Sequence, residues 1–233
     1  RLLFRRGAGA SRLELATAGQ PLTALADIPG LPEAVGWFSR GLFDAGVEVV
    51  QADGLPPGIS FQFAAMDLSF DSPDGRYAGE GLQLMAHGSL RLADEPVVEL
   101  EGGIAAGELL LGDFYRNFAD AGLNFAGGGA WTAGGLEVAR IHVDDGGALA
   151  LEAAARPGTG GDEPQWSLEV SSLELAFPAA YRRYLEPLAA AWTLDGLELT
   201  GRVSWSGEWE GGALASGDLE ISDFSVIDVR RER

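Results

Sequence analysis

The stretch WTLDGLELTGRVSWSGEWE, residues 192–210, decides the fold class of this chain. From Leu197 onward, apolar side chains and glycines hold one parity, while charged and hydroxyl side chains hold the other. This period of two is typical of a β-strand with one apolar and one polar face. At about 3.4 Å per residue, the run to Trp209 spans roughly 40 Å, well beyond the usual strand of about five or six residues. The stretch therefore predicts one strand of a large, extended sheet.

The composition of the whole chain favours the same fold class. Its 233 residues are 46% hydrophobic, which is enough for a substantial core in one or two domains. The 34 Gly and 11 Pro follow no collagen-like triplet and suit many turns better than long helices. We therefore predict a mainly β protein.

The charge of the chain excludes several classes of function. The net charge is −19, and all 16 basic residues are Arg. Such a surface repels phosphate backbones, so we expect no nucleic acid as a partner. The chain has no Cys, which excludes disulfides, zinc–thiolate sites and thiol nucleophiles.

No run of residues predicts a membrane-spanning helix. Every apolar run falls short of the roughly 18 residues that a span needs, and residues 1–15 lack the apolar core of a signal peptide. We expect a soluble protein or, because residues 223–233 stop without a closing element, a segment of a longer one.

Other stretches alternate in the same way and predict further strands. They are residues 12–16, 47–51, 59–71, 82–92, 98–106, 136–143, 149–153 and 166–177. The parity slips after Ala65 and again after Val170, and each slip predicts a β-bulge. The phrase DSPDG at residues 71–75 predicts a tight turn, because Pro fixes φ and Gly accepts a positive φ.

Three short helices are predicted between the strands. Residues 32–45 carry apolar side chains at three- and four-residue spacing after Pro32. Residues 112–122 have Asp113 as an N-cap and a glycine as the stop. Residues 178–191, PAAYRRYLEPLAAA, form the third.

An internal repeat relates parts of the chain. The aligned phrases are residues 131–138 with 192–199, residues 114–118 with 180–184, and residues 67–76 with 223–233. The order strand, helix, strand is thereby predicted twice. Repeats on this scale indicate stacked units that share one continuous apolar surface.

No motif for catalysis is present. The chain lacks a nucleophile elbow, a zinc-protease motif, a phosphate-binding loop and a dinucleotide fingerprint. We expect His87 and His142 to be ordinary sheet residues, because a functional histidine needs a partner and a cleft. We predict no enzyme, no catalytic residue and no cofactor.

The acidic pairs and the arginines allow only weaker hypotheses. Two turns hold paired carboxylates, at residues 71–74 and 144–145, but both lack the oxygen ligands of a calcium loop, so no metal site is predicted. The aromatic residues of the second and third helices are expected in the core; they are Tyr115, Phe118, Tyr181 and Tyr184. Beside them, Arg116, Arg182 and Arg183 offer a possible contact for a phosphate head group.

The strands place their apolar side chains on one face, and something must cover that face. Full burial of a large apolar side chain contributes about 1.5 to 3 kcal/mol. Leaving a dozen of them in water would exceed the roughly 5–15 kcal/mol that stabilises a typical domain. A second sheet and the helices, or the acyl chains of lipids, are the two alternatives, and the pattern does not separate them.

Four phrases carry a resemblance to a known family. They are GLELTGRVSWSG, GDLEISDFSV, DSPDGRYAGEGLQL and YRRYLEPL. Residues 59–233 resemble the AsmA-like repetitive envelope proteins, particularly their YdbH and YhdP branches. The resemblance implies a long, twisted antiparallel sheet forming a groove or half-barrel with short helical insertions. It also implies a parent protein of the periplasm or cell envelope, anchored in the inner membrane, that conveys phospholipids between the inner and outer membranes.

These observations give one leading prediction. The chain is expected to be a non-enzymatic segment that binds phospholipid acyl chains in its groove; its oligomeric state is left open. The residues expected to line the groove are Phe61, Phe63, Leu82, Leu84, Leu90, Leu92, Leu100, Ile104, Leu197, Leu199, Val203, Trp205 and Trp209. The alternative is a β-rich structural or adhesive module with a closed, self-filled core.

The predicted organisation has four parts. Residues 1–58 form an N-terminal strand and amphipathic helix, and residues 59–156 form a first β-repeat region. Residues 157–165 are a loop. Residues 166–233 form a second β-repeat region, continuous with the first.

Overall fold

The computed structural model contains one large antiparallel sheet, as the sequence predicts. It describes residues 2–7, 9–27, 30, 32–112, 114–158, 166–186, 197–210 and 213–228. All thirteen described strands belong to the same sheet, which is not closed into a barrel. The prediction of a mainly β fold is confirmed.

Twelve strands follow one another across the sheet in chain order, and the short β7 pairs beside them with β6. The strands are β1 Leu2–Gly7, β2 Ala10–Pro21, β3 Phe38–Ala52, β4 Gly58–Asp71, β5 Tyr77–Arg91, β6 Val97–Leu111, β7 Phe114–Asn117, β8 Leu123–Thr132, β9 Gly135–Asp144, β10 Leu149–Pro157, β11 Trp166–Phe177, β12 Leu197–Glu210 and β13 Ala213–Asp228. The opening stretch of the sequence thus supplies β12, paired with a strand on each side.

The connections divide the sheet into two unlike ends. At one end, here called the hairpin end, β3 leads to β4, β5 to β6 and β8 to β9 through short turns. The opposite end, the insertion end, holds the larger connections at residues 22–37, 112–122 and 178–196. Two 3₁₀ turns, Leu22–Asp27 and Glu33–Trp37, and the π-helical turn Tyr181–Leu185 lie in these connections.

The parity slip after Ala65 is a β-bulge, as predicted. Asp67 has a φ of 56°, and the register of β4 with β5 shifts between Ala65 and Leu68. Across the pair, Gly41 of β3 has a φ of 125° and comes so close to Leu68 that a Cβ on the glycine would lie 2.9 Å from the Leu68 Cα. Only glycine fits such an approach without displacing the neighbouring strand.

The same bulge recurs at the other side of the sheet, where the sequence repeats. Asp223 has a φ of 52°, and a Cβ on Gly201 would lie 2.7 Å from the Phe224 Cα. The phrases DLSF and DFSV therefore fold alike, with the aspartate in the left-handed region of each bulge. The second predicted slip is also confirmed, because the pairing of β11 with β12 shifts between Val170 and Leu173.

The helix predicted at residues 32–45 is wrong beyond its first turn. Only Glu33–Trp37 is helical, and Phe38–Ala52 is strand β3. The three- and four-residue spacing of the first apolar residues favoured a helix, but Phe43, Ala45 and Val47 alternate with period two. Pairing with β2 on one edge and β4 on the other satisfies this strand's backbone.

The helix predicted at residues 112–122 is wrong as well. Phe114–Asn117 forms β7, which folds back on residues 108–111 of β6. Strand β8 pairs with β6 only as far as Ile104, so the end of β6 has backbone groups without a partner on that edge. The chain supplies β7 to pair them, because a backbone hydrogen bond left unmade is costly.

The helix predicted at residues 178–191 is confirmed in its described part, which is helical from residue 179 to 186. Residues 187–191 lie outside the described residues, as do residues 159–165 of the predicted loop and residues 192–196. The two predicted strand–helix–strand units differ from each other. The second contains this helix, whereas the first contains strand β7 at the corresponding position. Residues 131–138 also form the hairpin between β8 and β9, whereas Leu197 begins β12 at the insertion end.

The main hydrophobic core lies at the insertion end. Leu22, from the first 3₁₀ turn, packs with side chains of the sheet and is 1% exposed. The buried members of this core are Leu22, Phe43, Ala65, Leu68, Leu82 and Phe118. The first and second insertions thus cover the apolar face of β3, β4 and β5 where these strands end.

Candidate functional site

An apolar row crosses the entire sheet at right angles to the strands. Each member is the register partner of the next, from β1 to β13. This Leu100 row consists of Leu2, Leu15, Val47, Phe61, Gly88, Leu100, Gly127, Ile141, Ala153, Val170, Gly207 and Gly217. With strands about 4.8 Å apart, a row across twelve strands is roughly 50 Å long. Residues from twelve of the thirteen described strands therefore lie in one line.

Two more apolar rows flank the first on the same face, since residues two apart on a strand point to the same side. The Leu90 row, nearer the hairpin end, consists of Phe4, Leu13, Val49, Ile59, Leu90, Val98, Gly129, Val138, Ala155, Leu168, Trp209 and Leu214. The Phe63 row, nearer the insertion end, consists of Thr17, Ala45, Phe63, Ala86, Gly102, Phe125, Val143, Leu151, Leu173, Trp205 and Leu219. None of the three rows contains an ionisable side chain. We call this surface the apolar face.

The opposite surface, here called the polar face, carries the charges. One of its rows contains Glu14, Glu48, Ser60, Ser89, Glu99, Gly128 and Arg140. The next contains Gly46, Gln62, His87, Glu101, Ala126, His142 and Glu152. The strands are therefore amphipathic in register, so that apolar residues gather on one side of the sheet and charges on the other.

Aromatic rings lie over glycines on the apolar face. In each case a Cβ added to the glycine would collide with the ring of a neighbouring side chain. These pairs are Phe61 with Gly88, Phe125 with Gly102, and Trp205 with Gly207. These glycines have no apolar side chain of their own. The surface of the rows is nevertheless continuous there, because the neighbouring rings cover the glycine backbone.

The described chain covers only part of the apolar face. The non-strand elements that the structure describes are at the insertion end, where Leu82 is 2% exposed. Farther along the strands, Leu100 at the centre of its row is 36% exposed, and Leu219 of β13 is 63% exposed. No second layer of described residues lies over the three rows. A continuous apolar strip is therefore left uncovered by the described residues.

Six of the predicted lining residues fall in the three rows. They are Phe61 and Leu100, Leu90 and Trp209, and Phe63 and Trp205. Leu84 and Ile104 are register partners one row closer to the insertion end and pack against the core. Val203 pairs with Leu175, and Leu199 pairs with Val226.

The other three predicted lining residues differ from this group. Leu82 is part of the buried core under the insertions, so protein rather than solvent covers it. Leu92 lies just beyond β5, and its backbone N–H donates to the carbonyl of Pro57. Leu197 begins β12 opposite Asp228 in register.

The sequence argument missed the contribution of β2 and β3 to the apolar face. Leu13 and Leu15 lie in a segment predicted to hold only a short strand, and Val47 and Val49 follow the segment predicted as a helix. The alternation from Phe43 to Val49 is the signal that would have found them. Glycines in the rows carry no hydrophobic signal and were not predicted as lining residues.

A buried charged cluster joins two of the insertions to the sheet. The Asp145 carboxylate has no exposed surface. Its Oδ1 accepts the backbone N–H groups of Ala148 and Leu149, both at 2.8 Å. Its Oδ2 accepts the hydroxyl of Tyr184 at 2.6 Å and Nη1 of Arg183 at 3.0 Å. The turn between β9 and β10 is thereby tied to the helical insertion.

Arg116 of β7 completes this cluster from the other insertion. Its Nη2 lies 3.5 Å from Oδ2 of Asp145 and donates to the carbonyl of Ala121 at 3.0 Å. The guanidinium carbon lies 4.7 Å from the ring centroid of Tyr184 and 5.3 Å from that of Phe118. Nε and Nη1 have no hydrogen-bond partner among the described residues. Ring faces, which attract cations, stand beside this buried charge.

The surroundings of Asp145 keep it ionised. Burial is the largest influence and opposes the charged form, but the hydrogen bonds from Tyr184, the two backbone N–H groups and Arg183 together outweigh it, so the pKa of Asp145 lies below its ordinary value. Burial, followed by the hydrogen bond to this carboxylate, raises the pKa of Tyr184 well above its ordinary value. The cluster is a fixed ionic connection at neutral pH.

Two of the three arginines that were predicted to contact a phosphate head group belong to this cluster instead. Arg116 and Arg183 are engaged with Asp145, while Arg182 is exposed. Phe118 and Tyr181 are buried, as expected for core aromatic residues. The carboxylate of Asp145 already accepts four hydrogen bonds from the protein.

Comparison with known proteins adds no relative. No protein family, no curated protein and no solved structure matches this chain. Within the described residues, no helix has both the length and the hydrophobicity to span a membrane. The geometry of the sheet is therefore the basis for any functional conclusion.

Proposed function

We propose that this chain is a segment of an envelope protein that binds phospholipid acyl chains along its apolar face and conveys them across the strands. The observation that carries the proposal is the set of three uncharged rows, each running from β2 to β13 through every strand except the short β7. One leaflet of a bilayer has a hydrocarbon thickness of about 15 Å, half of the roughly 30 Å core. A row of about 50 Å accommodates several acyl chains in succession.

The chemistry of the face suits acyl chains rather than a polar ligand. Aliphatic and aromatic side chains line it, and an ionisable group would have to lose its hydration to enter. Binding would remove from water the apolar surface that the insertions leave uncovered, at about 25 cal/mol per Å². Head groups would remain outside the rows, in water. We place the parent protein in the periplasm or cell envelope, in keeping with the family resemblance of residues 59–233, and propose the inner membrane as its anchoring site.

The rows also favour movement over storage at one position. Each row offers uncharged contacts at every strand that it crosses, with no charged side chain to separate one position from the next. A bound acyl chain would therefore exchange one set of contacts for an equivalent set at the neighbouring strand. The chain needs no catalytic residue for this role.

The test compares two adjacent residues of β4 that face opposite sides. Phe61→Asp places a carboxylate in the Leu100 row, and Ser60→Asp places the same group on the polar face. After incubation with phosphatidylethanolamine vesicles and re-isolation, native mass spectrometry would count bound lipids. We expect at least about a tenfold loss of bound lipid for the first variant, because a carboxylate is costly in an apolar site, and no loss for the second.

Two outcomes would contradict the proposal. Delipidated wild-type protein that binds no lipid would remove the function, as would equal binding by both variants. Circular dichroism would first establish that both variants keep their strand content. A folded wild-type protein without lipid binding would favour the alternative of a structural or adhesive module, which the protein-filled core under the insertions supports.

A further inference from the structure

One depression on the polar face gathers all of the methionines and histidines of the chain. The protein has two Met and two His, and Met66, Met85, His87 and His142 line the same open depression of about 880 Å³. The depression crosses β4, β5, β6, β8 and β9, on the side of the sheet opposite the Leu100 row. Its volume is within the roughly 300–1,000 Å³ of small-molecule sites.

The floor of the depression is apolar although the surrounding face is charged. Small residues form much of it, among them Ala64, Gly103 and Ala126. Met66 is 52% exposed and Met85 is 63% exposed. Flexible, polarizable thioether side chains adapt to varied apolar ligands. The methionines are thus free to close over an apolar group resting on the floor.

The ionisable groups at the depression are carboxylates and imidazoles. Glu101 lines it, with Oε2 3.4 Å from Nε2 of His87. At the other side, Nδ1 of His142 lies 2.6 Å from Oε1 of Glu152. No Arg lines the depression; Arg140, two residues before His142 on β9, lies in the next row toward the hairpin end.

Two aspartates flank the depression in the row that contains Met85. From Asp44, this row passes through Ala64, Met85, Gly103 and Asn124 to Asp144. Asp44 accepts the N–H of Gly19, and Asp144 accepts that of Gly146. Neither carboxylate forms an ion pair with an arginine among the described residues. The field at the depression is therefore negative.

We propose that this depression binds an organic cation with an apolar body, such as an aryl or alkyl ammonium compound. The apolar part would lie on the small-residue floor between the two methionines. The cationic group would face Glu101 and the aspartates, with no cationic side chain in the lining to oppose it. The proposal does not rest on lipid binding at the apolar face, although Gly102 and Phe125 of the Phe63 row also contribute to the lining.

The methionines provide a direct reporter for the test. Protein labelled with ¹³C in its methionine methyl groups gives two signals, both from the depression, and these are followed during titration with benzyltrimethylammonium chloride. The matched anion, benzenesulfonate, is titrated separately. We expect the cation to shift both signals saturably and the anion to leave them in place. Signals that the cation does not move, or that the anion moves equally, would overturn the proposal.

A pair of variants on β6 tests the role of charge. Glu101→Gln removes the carboxylate that lines the depression, whereas Glu99→Gln removes one on the same strand and face, outside it. We expect the first to raise the dissociation constant roughly two- to fivefold, the range for an exposed ion pair, and the second to leave it unchanged. Equal affinity of the two variants for the cation would also refute the assignment.

Discussion

The two ends of the sheet differ in how far the apolar side chains of the strands are buried. On β5, Leu82 and Leu90 are both apolar residues of one strand, yet insertions bury Leu82 completely while Leu90 lies half-buried in an open row. Strand sequence does not distinguish the two positions. The connections do, because Leu22 and Phe118 of the two insertions pack at the insertion end, whereas the described turns at the hairpin end add no cover.

This difference separates stability from ligand binding along the length of each strand. The insertion end has both the hydrophobic core and the ionic cluster around Asp145, so we expect it to contribute most of the free energy of unfolding. The open rows leave their apolar surface available. Six substitutions, one of them a control, test this division.

The largest expected effect is at the ionic cluster. Asp145→Asn removes the charge that faces Arg116 and Arg183, and leaves a buried guanidinium without its counter-ion. Breaking a buried ion pair in this way costs about 3–5 kcal/mol. Urea denaturation at pH 7 would measure the loss, and a change below about 1 kcal/mol would contradict a stabilising role of the cluster.

The same variant should change how stability depends on pH. The pKa of Asp145 is lower in the folded protein than the value of about 3.9 in an unfolded chain. Its ionised form therefore stabilises the fold at neutral pH, and this contribution is lost as the pH falls from about 4 through the folded pKa. The wild type should lose more stability than Asp145→Asn over this acidic range.

The second prediction compares two leucines of β5. Leu82→Ala should reduce the free energy of unfolding by about 2–5 kcal/mol, because it opens a cavity in a packed core. Leu90→Ala should cost about 1 kcal/mol or less without lipid, since its side chain already contacts water. Denaturation curves with and without lipid would separate them, and only the Leu90 variant should lose the additional stabilisation that bound lipid provides. Equal costs for the two variants would mean that the ends do not differ.

The third prediction concerns the bulge that begins the insertion end. Gly41→Ala should destabilise the protein by about 1–3 kcal/mol, because its φ of 125° strains a non-glycine residue and the added methyl group would approach the backbone of Leu68. Gly54→Ala is the control, since that glycine has a positive φ but open space around its Cα. Thermal unfolding would compare the two variants. An equal loss of stability in both would mean that the close approach of Gly41 to Leu68 does not contribute.

The smallest effect is expected at the exposed edge of the apolar face. Leu219→Ser in β13 removes a side chain that is 63% exposed, so the free energy of unfolding should change by no more than about 0.5 kcal/mol. Lipid binding should nevertheless decrease, because the residue extends the Phe63 row. A large loss of stability would indicate that this row packs against protein.

The positions of the strands, and the direction in which their side chains point, could be predicted because alternation with period two is a local property of the sequence. The amphipathic pattern of β12 and the slip after Ala65 follow directly from neighbouring residues. The helix prediction for residues 112–122 failed because β7 pairs with the edge of β6 that β8 leaves free beyond Ile104. Residues 112–122 carry no sequence signal of where β8 stops pairing with β6.

The ionic cluster shows the same limit for side chains. Asp145 lies in a turn for which the sequence predicted neither a metal site nor another contact, and Arg116 and Tyr184 lie in separate insertions. Nothing in the spacing of these residues indicated that they meet. Their contact requires the folded order of the strands, which brings the β9–β10 turn beside both insertions.

The sequence alone determined that this chain has long strands with one apolar and one polar side, because alternation fixes side-chain direction within each strand. Only the tertiary structure decided that the apolar sides align in register into rows across eleven or twelve successive strands of the sheet, because hydrogen-bonded pairing sets the position of each strand against the next. It also decided where the described chain covers those rows. The connections at one end of the sheet fold over it, whereas the described turns at the other end are short and leave it open.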